Sequence, residues 1–147
     1  MQKLRVLLAA LWLGNLFTVG YMVAPTLFAS LADRALAGTI AGSMFGVQFW
    51  CSLVLGLLLL ILLMPGQAKE FAKPDKILLT LVLFMLLLAL ANHFGMRPEM
   101  AALREQAGGL AQMPEAVRSR FGLLHGISSV IYLLQSACSV ALLWRMR

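Results

Sequence analysis

The chain has 147 residues, of which 61% are hydrophobic and 12% charged, with a formal net charge of +6. That is too little polar surface to coat a soluble globule of this length, so an ordinary soluble domain is excluded and a single domain solvated by lipid is expected. The basic residues fall in short segments between apolar stretches rather than in a run or on one amphipathic face, which argues against a nucleic-acid partner.

Four segments are long and apolar enough to cross a hydrocarbon core of about 30 Å: 4–23, 45–64, 77–94 and 121–144. The first comes after a Met-Gln-Lys-Leu-Arg start that resembles a signal peptide. Its apolar run is too long for the central region of one, so a retained span is expected. Pro25 should close or kink this helix. Ser30, with Asp33 three residues on, has the spacing of a capping box and predicts a second helix from near Leu31 to Met64, ended by Pro65 and Gly66. Such a helix is about 51 Å long at 1.5 Å per residue and must project beyond the core.

Pro74 suits the first position of the third helix, with Asp75 favourable at its positive end, and Gly95 and Pro98 punctuate its exit. The longest polar stretch, Met96 to Arg120, has room for a short separate helix from Pro98 to Ala107, stopped by Gly108 and Gly109. Pro114 opens the fourth helix early, so this helix should run to Arg147 and project on the same side as the start of helix two. The expected fold is an all-α integral membrane four-helix bundle with helices two and four extended on the outer side.

Seven basic residues (Lys3, Arg5, Lys69, Lys73, Lys76, Arg145 and Arg147) are packed into short segments on one side, and five (Arg34, Arg97, Arg104, Arg118 and Arg120) are spread over longer segments on the other. This density places both termini in the cytoplasm.

No Asp, Glu, Lys or Arg falls inside an expected span core, and no nucleophile with a base, phosphate loop or metal-ligand spacing is legible. The expectation is therefore no enzymatic activity. Gly38, Gly42 and Gly46 recur every fourth residue, and Gly122 and Gly126 lie at the same distances from the inner end of their helix as Gly46 and Gly42 do, in reverse order. Close packing of helices two and four through these glycines is expected, with self-association as the alternative.

Helix four carries the most informative pattern. His125, Ser128, Tyr132, Gln135 and Ser139 are spaced 3, 4, 3 and 4 apart on one face, which Ser129 and Ser136 widen. Polar groups in lipid need partners, so this stripe should face the bundle interior. Candidate partners at comparable depth are Asn15 and Thr18 on helix one, Gln48 on helix two, and Asn92 with His93 on helix three.

The stripe admits three readings: interhelical hydrogen-bond glue, the lining of a site that binds or passes a small molecule or ion, and a cofactor site. Two membrane histidines, His93 and His125, can ligate a haem iron. Neighbouring helices lie only about 8–10 Å apart, so a porphyrin between them requires helices three and four to be diagonal. Cys51 and Cys138 differ in depth by about 10 Å and do not pair as a soft-metal site.

Trp12-Leu-Gly14, Pro25-Thr-Leu-Phe28, Ala37-Gly38 through Met44-Phe45, Asn92 with Pro98, and His125-Gly-Ile-Ser-Ser129 together resemble the family of membrane proteins similar to transmembrane protein 205, the domain of unknown function 4149. The His-Gly-x-Ser-Ser stretch is the most specific of these. The resemblance implies a four-span protein of a short bacterial form, located in the inner membrane. It also implies looser kinship with four-helix membrane bundles of the copper-resistance and haem-binding type, with His125 the better carry-over than His93. Besides the lipid bilayer, the expected partners are a second copy of the chain or another membrane protein docked on the glycine faces.

Overall fold

The computed structural model describes residues 1–64, 75–107 and 113–146. Pro65, Gly66, Pro74, Gly108, Gly109 and Arg147 lie outside the described residues, and with them the expectations placed on those positions. Four helices account for nearly everything described: α1 (Gln2–Ser30), α2 (Arg34–Leu63), α3 (Lys76–Gln106) and α4 (Glu115–Arg145). Each has 29 to 31 residues, or roughly 45 Å at 1.5 Å per residue, enough to span the hydrocarbon and reach the headgroup layer.

Neighbours in the ring are α1 with α2, α2 with α3, α3 with α4, and α4 with α1. Consecutive helices run antiparallel, so both chain termini share one end of the bundle. The outward faces carry large exposed apolar side chains, among them Leu11, Val54, Leu58, Leu87 and Val130. Surfaces of this kind require hydrocarbon around them. The chain is a multi-pass membrane protein.

Four sequence expectations change here. Helices two and four do not stand out in length, because α1 and α3 are equally long. Pro25 does not close α1, nor does Pro98 separate a short helix from α3. Each proline comes after a six-residue π-helical segment, Thr18–Val23 in α1 and Ala91–Met96 in α3. The residue just before each proline donates its N–H five residues back, Ala24 to Val19 and Arg97 to Asn92. A proline ring clashes with the carbonyl four residues before it, and the wider turn makes room without leaving the helix.

The third change concerns capping. Asp33, not Ser30, caps α2, its carboxylate accepting from the N–H groups of Ala35 and Leu36 at 2.8 and 3.1 Å. α2 therefore begins at Arg34. The fourth concerns the glycines. α2 and α4 lie diagonally across the ring, so Gly38, Gly42 and Gly46 do not dock on Gly122 and Gly126. A Cβ built at Gly122 or Gly126 would meet nothing within 4 Å.

Close approach occurs elsewhere. At Gly56 a Cβ would come within 2.6 Å of Leu86 and 2.8 Å of Trp12, where α1, α2 and α3 converge. At Gly20 it would overlap the Tyr132 ring of α4. The half of the bundle nearer the termini is filled solidly, with Trp12, Leu16, Leu59, Val82, Met85 and Leu142 all fully buried.

The terminal end is closed by helix-end contacts. The amide of Gln2 donates to the Met146 carbonyl at 2.6 Å, and the Arg5 guanidinium donates to the Leu62 carbonyl. Both satisfy carbonyls at helix C-termini that have no intrahelical partner. Asp75 caps α3 through the N–H groups of Ile77 and Leu78 and pairs with Arg145 of α4 at 3.1 Å. Slight desolvation pushes its carboxyl upward, but the helix N–H groups and Arg145 outweigh it and hold the pKa below the ordinary aspartate value.

A folded-state pKa below the unfolded one adds stability above the unfolded value and loses it as pH falls through the folded one. Thermal unfolding in detergent should show Asp75→Ala less stable than Asp75→Asn, which keeps a capping oxygen, and both below wild type near neutral pH. The gap between wild type and Asp75→Asn should narrow as pH drops below about 3.9. A gap that is constant with pH would count against the carboxylate as its origin.

Candidate ligand-binding cleft

Away from the termini the four helices part around a half-open cleft of about 790 Å³. Its size falls within the range of pockets that take small organic ligands. The stripe on α4 forms one wall, with His125, Ser128, Ser129, Tyr132 and Gln135 all on its surface. Gln48 of α2 and Asn92 and His93 of α3 line it as well.

Of the residues the sequence nominates, Ser136 and Ser139 of α4 and Thr18 of α1 stay out of the lining, as does Asn15. The Asn15 amide is turned to α2, donating to the Gln48 carbonyl at 3.1 Å and to Ser52 Oγ at 3.2 Å. Gln48 Nε2 donates to the same Ser52 Oγ at 2.8 Å, so a small polar knot sits between α1 and α2.

The stripe satisfies its polar groups in two ways. Ser129, Ser136 and Ser139 donate to carbonyls three or four residues back on their own helix and need no neighbour. Three more reach across to other helices. Ser128 Oγ donates to Asn92 Oδ1 at 2.6 Å, Tyr132 Oη to the Leu16 carbonyl at 2.7 Å, and Gln135 Nε2 to the Met85 carbonyl at 3.3 Å. Ser136 and Ser139 lie below the cleft, buried in the packed half.

Aromatic rings make up much of the remaining wall. Phe49 stacks on His93 with centroids 3.8 Å apart, and Phe45 meets Tyr132 edge to face at 5.4 Å. Near the mouth Phe121 lies parallel to His125 at 6.3 Å. His93 Nδ1 is 2.9 Å from Arg97 Nη1. An arginine only donates, so Nδ1 accepts, which places the neutral imidazole proton on Nε2. α3 and α4 are neighbours, not the diagonal pair that a porphyrin between His93 and His125 would need. Among the described residues no group of three or more His, Cys, Asp or Glu is arranged to hold a metal ion.

From the sequence, Arg97 and Arg104 belong to the polar connection after the third span. The structure brings both into the cleft lining, because α3 continues through Pro98. They lie over the glycine row of α2. Arg97 Nη1 is 3.3 Å from where a Gly46 Cβ would stand, and Arg104 Nη2 is 3.4 Å from the same point at Gly38. Arg97 Nη2 also donates to the Gly42 carbonyl at 2.6 Å. The glycine row is thus a bed for two long side chains rather than for another backbone. Their seven-residue spacing, which puts both on one face, is the signal available in the sequence.

Family comparison matches residues 7–108 to the domain of unknown function 4149, more than two thirds of the chain. The chain belongs to this family. Comparison with curated proteins and with solved structures gives no match. The matched region of the 4149 domain contains the glycine row, both π segments, Arg97 and Arg104. The α4 stripe and its His125-Gly-Ile-Ser-Ser129 stretch lie beyond it.

Tyr132 against Gly20 is the contact most sensitive to volume. Gly20→Ala should destabilise the bundle by about 1–3 kcal/mol through overpacking, and Tyr132→Phe by about 1 kcal/mol through the lost hydrogen bond. In a Tyr132→Leu background the Gly20→Ala penalty should shrink. Equal penalties in both backgrounds, measured by unfolding in detergent, would show that the two residues are not in contact.

Proposed function

We propose that this protein binds a small molecule in the cleft between its four helices, with the α4 stripe supplying the polar wall. The observation that carries this reading is that polar side chains from three helices converge on one cavity, while the half of the bundle nearer the termini is packed shut by Trp12, Leu16, Leu59, Val82, Met85 and Leu142. Polar residues serving only as interhelical glue would be expected to close up around one another and leave no such space. The closed half favours binding over passage. The proposed role is binding, without catalysis.

With both termini in the cytoplasm, as the Lys and Arg distribution favours, the cleft opens toward the outer leaflet of a bacterial inner membrane. The outward-facing Gly122 and Gly126 favour a second role, contact of α4 with another membrane helix, either from a second copy or from a different protein.

Purified protein can be screened by thermal shift against small compounds with apolar bodies. Ser129→Trp, which fills the mouth, and His125→Ala combined with Gln135→Leu, which strips the polar wall, should fold yet lose the stabilisation that hits confer on wild type. Compounds that stabilise all three proteins equally would place their site elsewhere and sink the cleft reading.

A further inference from the structure

We infer that the cleft selects for an acid: a carboxylate or phosphate group on an apolar body, seated between Arg97 and Arg104 above Gly42. This rests on the cleft being a binding site and adds the chemical class of its occupant.

Charge balance comes first. Two guanidinium groups line the cleft and no carboxylate does. The ion pairs among the described residues, Arg120 with Glu99 and Arg145 with Asp75, lie elsewhere and involve neither arginine. Positive charge at the edge of a low-dielectric cavity attracts an anion more strongly than the same charge in water does.

Unused donors come second. Arg97 gives one N–H to the Gly42 carbonyl and one to His93, which leaves three of its five. Arg104 donates to no acceptor among the described residues, and its Nε is buried without a partner. Its guanidinium lies 5.8 Å from the centroid of the Phe121 ring. That contact orients the cation and leaves its in-plane N–H groups for an oxygen acceptor. A buried, unpartnered guanidinium N–H is costly, and an oxyanion is the acceptor that suits it best.

Space comes third. Between Gly46, which lies under Arg97, and Gly38, which lies under Arg104, a Cβ at Gly42 would meet nothing within 4 Å. The two arginines flank a vacant position floored by main chain. Free inorganic phosphate would fill little of a cleft of about 790 Å³ whose other walls carry Phe45, Phe49 and Phe121. An acid with an apolar body uses both features. Arg97 is 21 residues into α3, or about 31 Å along the helix, which sets the acid group at headgroup depth.

The test uses the full chain in phosphatidylcholine nanodiscs with three probes sharing one tail: dodecanoate, dodecyl phosphate and dodecanol. Both acids should bind at least about tenfold more tightly than the alcohol. Arg97→Gln and Arg104→Gln should each weaken the acids about tenfold and leave dodecanol unchanged. Gly42→Leu, which has room to fold, should abolish acid binding with both arginines intact and Tm undiminished.

Adding phosphatidylglycerol to the discs separates two sources of the acid. Competition with dodecanoate in wild type assigns the seat to a lipid headgroup, and no competition assigns it to a free acid; both outcomes support an acid seat. Dodecanol binding as tightly as dodecanoate, or acid affinity unmoved in Arg104→Gln, would overturn it. If Ser129→Trp then removes all three probes together, the cleft reading survives without the acid preference. No binding by any probe overturns the seat, and the cleft reading is then judged on its own thermal-shift screen.

Discussion

Inside hydrocarbon every main-chain N–H and C=O has to find its partner within the protein, and the rest of this structure depends on how the chain meets that demand around two prolines. Pro25 and Pro98 each remove a donor and crowd a carbonyl in a long apolar helix. A break would leave bare polar groups in lipid. The π segments Thr18–Val23 and Ala91–Met96 keep α1 and α3 continuous instead. These helices face each other across the ring, and residues from both π segments line the cleft. The cavity thus opens at the level where two diagonal helices depart from regular geometry.

Gly20 lies within the first π segment and receives the Tyr132 ring, whose hydroxyl donates to Leu16 just below it. Asn92 and His93 lie within the second, Asn92 accepting from Ser128 and His93 stacked on Phe49. The α4 stripe is held at both edges by these contacts. Its rotation is set by α1 and α3, its ring neighbours, and not by the glycine row of α2.

Much of this is legible in the sequence. Span count, the inward direction of the α4 stripe and three of its five nominated partners, Gln48, Asn92 and His93, come from apolar run length and a regular 3.6-residue period. The features that the sequence hides share a cause. Pro25 and Pro98 read as ends because a proline usually ends a helix, and the compensating widened turn has no strong residue signature. Ending α3 near Gly95 puts Arg97 and Arg104 in a loop and leaves Gly38, Gly42 and Gly46 in search of a partner, for which α4 is the remaining choice. Depth counting matches these glycines to Gly122 and Gly126 but carries no information on ring order. Ser30 competes with Asp33 as the cap because both residue types suit that position.

The π segment in α3 also acts as a phase shift. Before it, the buried face runs through Leu78, Val82, Met85, Leu86 and Ala89. One extra residue in a single turn rotates the remainder of the helix by about 100° relative to an unbroken period, and beyond it the inward side takes in Arg97, Met100 and Arg104 at the cleft beside the buried Leu103. The far half of α3 is therefore indexed independently of the half that builds the core. Gaining or losing a single residue between Ala91 and Met96 would change which side chains of the far half of α3 face the cavity and leave the packed half in register. In this fold, changes in length at one helical turn can rewrite the chemistry of the cleft more thoroughly than any one substitution within it.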